Sequence, residues 1–304
     1  MKVIDKYIDE YAALYCGDTT ELIKAFGDES VDMEIFSPPF SSLYTYSNSD
    51  RDLGNCRNSD EFFQHFAFIT KELYRILKPG RIMAVHCMNY PAMKERDGYI
   101  GIIDFRGDLI RAFQQVGFIY HSEVCIWKNP VTAMQRTKAL GLLHKQLKKD
   151  SCMSRMGIPD YVVFMRKPGE NQNRVTHTNE TYPVSEWQNV ASPIWDEVNS
   201  PVWWDINQSD TLNARVAKDD ESERHICPLQ LPVIERCLRL YSNEGDVIFT
   251  PFLGIGSEVY QAIKMNRRGI GIELKPAYYE VAVQNIKNAE QEMNQMSLFD
   301  IMDE

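Results

Sequence analysis

The stretch from residue 246 to 273 restricts the fold more than any other part of the chain. Asp246-Val247-Ile248-Phe249-Thr250 is a short apolar, β-rich run, and Pro251-Phe252-Leu253-Gly254-Ile255-Gly256 breaks it. A helical pattern follows from residue 257 to about 266, and Gly269-Ile270-Gly271-Ile272-Glu273 reads as a second strand. Two strands joined through a helix lie parallel, so this segment demands a sheet with helices packed on it. A second unit has the same beginning. Val31-Asp32-Met33-Glu34-Ile35-Phe36 is a mostly apolar run that stops at Ser37-Pro38-Pro39-Phe40, where two prolines forbid further strand or helix.

The alternation continues between these units. Strands are expected at residues 11–16, 82–87, 118–127 and 161–166, and helices at 61–77, 104–116 and from Pro276 onward. Proline at a first helical turn is favourable because its missing N–H had no partner there. The pattern predicts an α/β fold built on a doubly wound, mostly parallel sheet. Two regions interrupt it. Residues 128–155 carry seven basic residues and one acid, and residues 169–224 are polar, with Trp187, Trp195, Trp203 and Trp204 and few regular patterns. The second is expected to be a loop-rich insertion, and the tail after residue 294 is expected to fray.

Composition removes several classes. With 304 residues, 44% hydrophobic and 25% charged, the chain has the balance of a soluble globular protein. No apolar run reaches 18 residues, so no spanning helix is expected. No apolar stretch follows Met1, so no secretory signal is expected either. Seven scattered cysteines contain no C-x-x-C pair, which suits buried thiols in a reducing cytoplasm rather than a disulfide framework. His144 and His225 lack partners at ligand spacing, so no metal is expected. The net charge of −10 means that any nucleic acid must be held by a local patch. Residues 128–155 supply one, although a solvated helix face would read the same way.

The glycine loop sits where a backbone must approach a ligand, and a helix N-terminus adds partial positive charge. Glu273 stands 17 residues after Gly256, at the end of the next strand, where a carboxylate can accept from two ribose hydroxyls. A dinucleotide loop needs a third glycine, but Val259 holds that position, and the Gly-Lys-Ser/Thr of a P-loop is absent. A cofactor with one ribose and no phosphate, such as S-adenosylmethionine, needs only this shortened loop and the acid. A purely structural strand-to-helix turn would also look like this; Glu273 tips the reading toward a cofactor.

The proline turn is more specific. Its rigid backbone aims the Ser37 hydroxyl and the Pro38 carbonyl at one place, where both can accept from a planar amino group. Phe40 can stack on the ring that carries the amine. Such a site suits the exocyclic amine of a nucleobase, made nucleophilic toward a methyl sulfonium. Ser37 is no strong base, so on this reading the amine proton leaves to solvent.

Together, Ser37-Pro38-Pro39-Phe40 and the Pro251–Gly256 loop resemble the exocyclic-amino (N4-cytosine/N6-adenine) DNA methyltransferases. The catalytic motif precedes the cofactor motif, which is the order of the beta class. Gly17-Asp18, residues 28–36, Leu77-Lys78-Pro79-Gly80 and residues 225–232 are similar to further family segments. The resemblance implies a seven-stranded Rossmann-like sheet, S-adenosylmethionine as cofactor, a base flipped from DNA and methylation of the kind found in restriction–modification. By position, Asp18 would contact the cofactor's adenine, and Glu273 its ribose. Phe252, Gly254 and Gly256 would line the methionine part, and Ser37, Pro38, Pro39 and Phe40 would hold the target base. Thr250 stands where the family often has Asp, and Ile255 where Ser is frequent. Neither change blocks the geometry.

The implied organisation is a catalytic half at 1–127, a basic segment and candidate target-recognition region at 128–224, a cofactor half at 225–293 and the tail at 294–304. Ser37 rather than Asp favours N4 of cytosine over N6 of adenine. Arg136, Lys138, Lys145, Lys148 and Lys149 are the candidate phosphate contacts. Trp203-Trp204 suits either a packing anchor or a base stack, and His86 and Cys87 read as core. A homodimer is the family's common state. The alternatives are methylation of RNA or a protein amide by the same turn, or a non-catalytic DNA-binding module on this fold.

Overall fold

The computed structural model describes residues 2–39, 53, 56, 59–92, 94–129, 144–150, 152, 157–191, 202–212 and 228–302. Eleven strands are present among them: β1 (Asp5–Ile8), β2 (Ala12–Cys16), β3 (Met33–Phe36), β4 (Ile82–Met88), β5 (Tyr90–Ala92), β6 (Gly101–Ile103), β7 (Ile119–Ile126), β8 (Asp160–Arg166), β9 (Val202–Trp203), β10 (Val247–Thr250) and β11 (Arg268–Glu273). Nine form one sheet in the order β1-β2-β11-β10-β3-β4-β8-β7-β9, and β5 and β6 pair separately. From β2 to β7 the sheet has the seven expected strands, with β8 antiparallel to both of its neighbours. The count rises to nine because β1 folds back antiparallel on β2 and β9 adds parallel to β7. Four exposed or half-exposed residues and a two-residue strand carry too little periodicity to be read from sequence.

The inner strands are apolar because both faces are covered. All four residues of β3 are buried. On one face, Phe36, Met83, Val85 and Cys87 pack with Phe62, Phe66, Ile69 and Leu73 of the Ser59–Ile76 helix and with Leu109 and Phe113 of the Phe105–Gln115 helix. On the other, Met33, Ile35, Ala84, Val162 and Phe164 meet Val233, Ile234, Cys237 and Leu238 of the Leu231–Tyr241 helix. A third cluster joins Ala12, Leu14 and Cys16 to the Ser257–Lys264 and Pro276–Met302 helices through Val259, Ile263, Ala282 and Ile286. Full burial of each such Leu, Ile or Phe side chain is worth about 1.5–3 kcal/mol. The Pro276–Met302 helix runs on through the segment expected to fray.

Helix ends follow their chemistry. Asp18 caps the Thr19–Leu22 helix by accepting from Thr20 N at 2.9 Å. Asp104 caps the Phe105–Gln115 helix through Gly107 N. Pro232 occupies the first turn of the Leu231–Tyr241 helix. Gly256, at φ +91°, forms the N-terminal cap of the Ser257–Lys264 helix in a conformation that an L side chain resists.

Candidate active site

Strand order reverses between β10 and β3. β10 leads through its helix to β11 on one side, while β3 leads through the Ser59–Ile76 helix to β4 on the other. In such a sheet the crevice at the carboxyl ends of these two strands is where ligands bind. The register pairs Ile248 with Met33 and Phe249 with Glu34. The glycine loop after Thr250 and the proline turn after Phe36 therefore leave the sheet side by side. Phe252 packs edge-on against Phe36 at 5.8 Å and stacks with Phe66 at 6.5 Å, so the two loops share one aromatic floor.

The glycine loop, Glu273 and Asp18 lie together at the ends of β2, β10 and β11. Glu273, the last residue of β11, accepts from Gly254 N at 2.7 Å and from Lys275 N at 2.9 Å. Its backbone carbonyl accepts from Gly17 N at 2.8 Å, which places Asp18 beside the same loop. Thr19 Oγ1 donates to Pro251 O at 2.7 Å and ties that corner together. Gly254 has φ +56°, and the space a Cβ would occupy is open to 4 Å. Thr250 is fully buried at the mouth of the loop, and its hydroxyl has no hydrogen-bond partner among the described residues. A half-buried carboxylate, an open glycine and an unpaired hydroxyl around one strand end are suited to a ligand with both polar and apolar parts. Glu258, in the next helical turn, is buried, and burial pushes its carboxyl up to about 8.

The proline turn has a neighbour that sequence reading missed. Ser37 Oγ lies 2.9 Å from Nδ1 of His86 on β4, and His86 Nε2 lies 3.2 Å from Asp160 Oδ2 at the start of β8. Lys128 Nζ is 2.5 Å from that same oxygen. His86 is thus no plain core residue: it sits directly behind the serine of the turn. Burial alone would raise the Asp160 carboxyl. Lys128 and His86 more than offset this and hold it below the usual carboxylate range. A histidine near the end of the strand beside β3 was the available signal. Its partners lie 49 and 74 residues away in sequence, so no local pattern announced them.

The remaining candidates separate. Pro38 is buried and Pro39 half-buried; Phe40 falls outside the described residues. So do Arg136, Lys138, His225 and the side chain of Lys145, whereas Lys148 and Lys149 are exposed on the His144–Lys149 helix. Trp203 is 3% exposed and packs in the second core beneath Arg236, whereas Trp204 is exposed and faces Trp127 at 6.1 Å. The pair splits into an anchor and an exposed ring. Among the described residues no group of three or more His, Cys, Asp or Glu can hold a metal ion, and no helix is long and apolar enough to cross a membrane.

A crevice at a strand-order reversal, flanked by an acid that follows a glycine loop, places the chain among the doubly wound α/β proteins that bind a nucleoside-containing ligand. Within that class it belongs to the N6/N4 DNA methylase family, whose model matches residues 31–284. It is 22% identical over 286 residues to the type II methyltransferase M.BglII of Bacillus subtilis, covering 92% of this chain and 70% of that protein. Its fold is similar to that of a candidate DNA modification methylase from Thermus thermophilus complexed with S-adenosyl-L-methionine. That match has a TM-score of 0.62 at 20% identity and covers 92% of this chain and 95% of that one. It is also similar to the cytosine-N4-specific PvuII DNA methyltransferase, with a TM-score of 0.62 at 18% identity over 93% and 90% of the two chains.

Proposed function

We propose that this DNA methylase transfers a methyl group from S-adenosylmethionine to N4 of a cytosine flipped out of DNA. The observation that carries this reading is the adjacency of the Ser37-Pro38-Pro39 turn and the Gly254–Glu273 corner across the β3–β10 pair. When bound, S-adenosylmethionine supplies an electrophilic methyl on a sulfonium. Glu273 accepts from the ribose hydroxyls, exchanging the Gly254 N–H it now holds. Asp18 lies at the adenine, and Phe252, Gly254 and Gly256 line the methionine part. Ser37 Oγ and the Pro38 carbonyl accept from the two amine hydrogens, and Phe40 stacks on the base. Stacking worth about 1–3 kcal/mol returns part of the few kcal/mol spent on flipping. The choice of cytosine over adenine rests on the resemblance, in which Ser rather than Asp at position 37 goes with the N4-cytosine members. Arg136, Lys138, Lys145, Lys148 and Lys149 contact phosphates.

The test uses purified protein, tritiated S-adenosylmethionine and mixed DNA and RNA, followed by nucleoside analysis. Labelled N4-methylcytosine from DNA is the expected product. N6-methyladenine overturns the choice of base, and label confined to RNA or protein overturns the choice of substrate.

A further inference from the structure

We infer that His86, held by Asp160 and Lys128, orients the Ser37 hydroxyl and takes the proton that the target amine loses during methyl transfer. This rests on the methyl-transfer reading above and adds to it a base that the turn alone lacks.

The direction of each hydrogen bond follows from the chemistry of its ends. Lys128 is a donor only, and Asp160 as a carboxylate is an acceptor only. Asp160 Oδ2 therefore accepts from both Lys128 Nζ, at 2.5 Å, and His86 Nε2, at 3.2 Å. That bond places the imidazole hydrogen on Nε2 and leaves Nδ1 as the acceptor. Nδ1 faces Ser37 Oγ at 2.9 Å, so the hydroxyl hydrogen points at the histidine and away from the crevice. Both serine lone pairs are then left for amine hydrogens. Without His86 the hydroxyl could rotate its own hydrogen toward the amine and repel it.

The proton path balances. The amine nitrogen attacks the sulfonium methyl; the new N–C bond forms as the S–C bond breaks, leaving a neutral thioether and a cationic methylated amine. That cation gives one hydrogen to Ser37 Oγ while Ser37 gives its own to His86 Nδ1. The product is a neutral methylamine, a restored serine and an imidazolium facing the Asp160 carboxylate. The imidazolium then releases its proton to solvent; His86 is 11% exposed, and Lys128 beside its partner is 24% exposed. The geometry is that of a serine–histidine–aspartate relay, used here to accept a proton from substrate rather than to activate the serine as a nucleophile.

The charged surroundings leave this role to His86. Ser37 faces it from β3, Asp160 from β8, and Lys128 from beyond the end of β7. On the same face, Arg236 of the Leu231–Tyr241 helix is committed to Asp205, and Arg239 to Glu186 and Glu235. The Arg106–Glu123 pair, with Arg106 over the Tyr161 ring, belongs to the opposite face of the sheet, with Cys87 and Val163.

The test measures single-turnover methylation of DNA, of whichever base, across pH for the wild type, His86→Gln and Asp160→Asn, with S-adenosylmethionine and DNA affinities measured separately. His86→Gln keeps a polar group behind Ser37 but cannot hold the proton. It is expected to lower the rate about 10²–10⁴-fold, to leave both affinities within about threefold, and to abolish the acid limb of the wild-type pH profile. Asp160→Asn should lower the rate less. A His86→Gln rate within threefold of wild type, or an unchanged pH profile, overturns the relay. Nitrogen NMR of histidine-labelled full-length protein gives a second readout that needs no turnover. Nε2–H with unprotonated Nδ1 is expected for His86, and a proton on Nδ1 overturns the proposal. A wild type that methylates no DNA while its His86 shows the expected tautomer refutes the substrate reading and not the hydrogen-bonded chain.

Discussion

The two ends of the central strands treat buried polar groups in opposite ways. At the amino ends of β3, β4 and β10, Arg81, Asp32 and Asp246 form a bonded network, although Glu34, one residue further along β3, has no partner among the described residues. Arg81, 2% exposed, donates from Nε to Asp32 O at 2.6 Å, from Nη1 to Asn173 O at 2.9 Å and from Nη2 to the Asp246 carboxylate. Asp32 accepts from Lys78 Nζ at 2.7 Å and Val247 N at 3.0 Å. Asp246 also accepts from Asn243 N and Asn173 Nδ2. At the carboxyl ends, Thr250 Oγ1 and Asp160 Oδ1 are buried with no hydrogen-bond partner among the described residues. A buried polar atom left unpaired costs about 1–3 kcal/mol. The fold tolerates that cost at the end where the glycine loop and the proline turn leave the sheet, and the network at the other end ties the strands together beneath it. One end is built to hold the sheet together, the other to react.

The largest expected effect breaks the closed end. Arg81→Ala strands the buried Asp246 carboxylate and takes a donor from the Asp32 and Asn173 carbonyls, and removing one member of such a buried pair costs about 3–5 kcal/mol. Urea unfolding should show that loss, while the fraction still folded binds S-adenosylmethionine with wild-type affinity. A loss under about 1 kcal/mol, the scale of an ordinary surface pair, would mean that the network is not what locks the strands. At the open end the balance inverts. Ser37→Ala should lower the methylation rate about 10²–10³-fold, the cost of removing one preorganised hydrogen-bonding group, and should leave the urea midpoint nearly unmoved. A destabilised but active Ser37→Ala protein would erase the contrast between the two ends.

A third prediction uses pH. Burial raises Glu258 to about 8 and holds Glu34, whose carboxylate oxygens find no partner among the described residues, well above the ordinary value. Both groups are protonated in folded and unfolded protein below about 4.5, the ordinary glutamate value. As pH rises above that, only the unfolded chain releases these protons, so stability falls; the Glu258 contribution levels off above about 8. Urea midpoints across that range should decline, and Glu258→Gln should flatten the decline by an amount on the order of a few kcal/mol. A Glu258→Gln protein whose midpoint changes with pH just as the wild type's does would show that Glu258 is ionised in the fold as it is in the unfolded chain. Next in size is Glu273→Ala. It removes an acceptor of charge-assisted hydrogen bonds, worth about 1.5–3 kcal/mol. Calorimetry should show S-adenosylmethionine binding roughly 10- to 150-fold weaker, with no matching loss of thermal stability.

Different kinds of information explain why some of this was legible in sequence. Buried parallel strands announce themselves as short apolar runs, and prolines and glycines mark where they stop, so β3, β4, β8, β10 and β11 were readable within a residue or two. Glu273 was readable because a βαβ unit sets the distance from its loop. His86, Asp160 and Lys128 were not, because they meet only once β4, β7 and β8 pair. The Trp203-Trp204 ambiguity had a local answer that the two residues of β9 hid. Trp203 ends β9 and turns into the core, and Trp204, just past the strand, is exposed. β1 and β9 were missed because an edge of two to four residues carries no period to detect.

The smallest effect concerns neither end of the strands. Lys148 and Lys149 are exposed on a short helix, away from the buried networks described above. Reversing both charges should change stability by no more than about 0.5 kcal/mol. DNA binding should respond differently. Each phosphate contact contributes about 0.9 to the slope of log affinity against log salt, so Lys148→Glu with Lys149→Glu should flatten that slope by about 1.8 if both touch the backbone. Fluorescence anisotropy at several salt concentrations reads the slope directly, and the S-adenosylmethionine affinity serves as the internal control. A slope unchanged within error would assign the basic run to a solvated face and place the phosphate contacts elsewhere on the rim. A flattened slope with cofactor binding intact would make this helix part of the surface that carries DNA to the crevice.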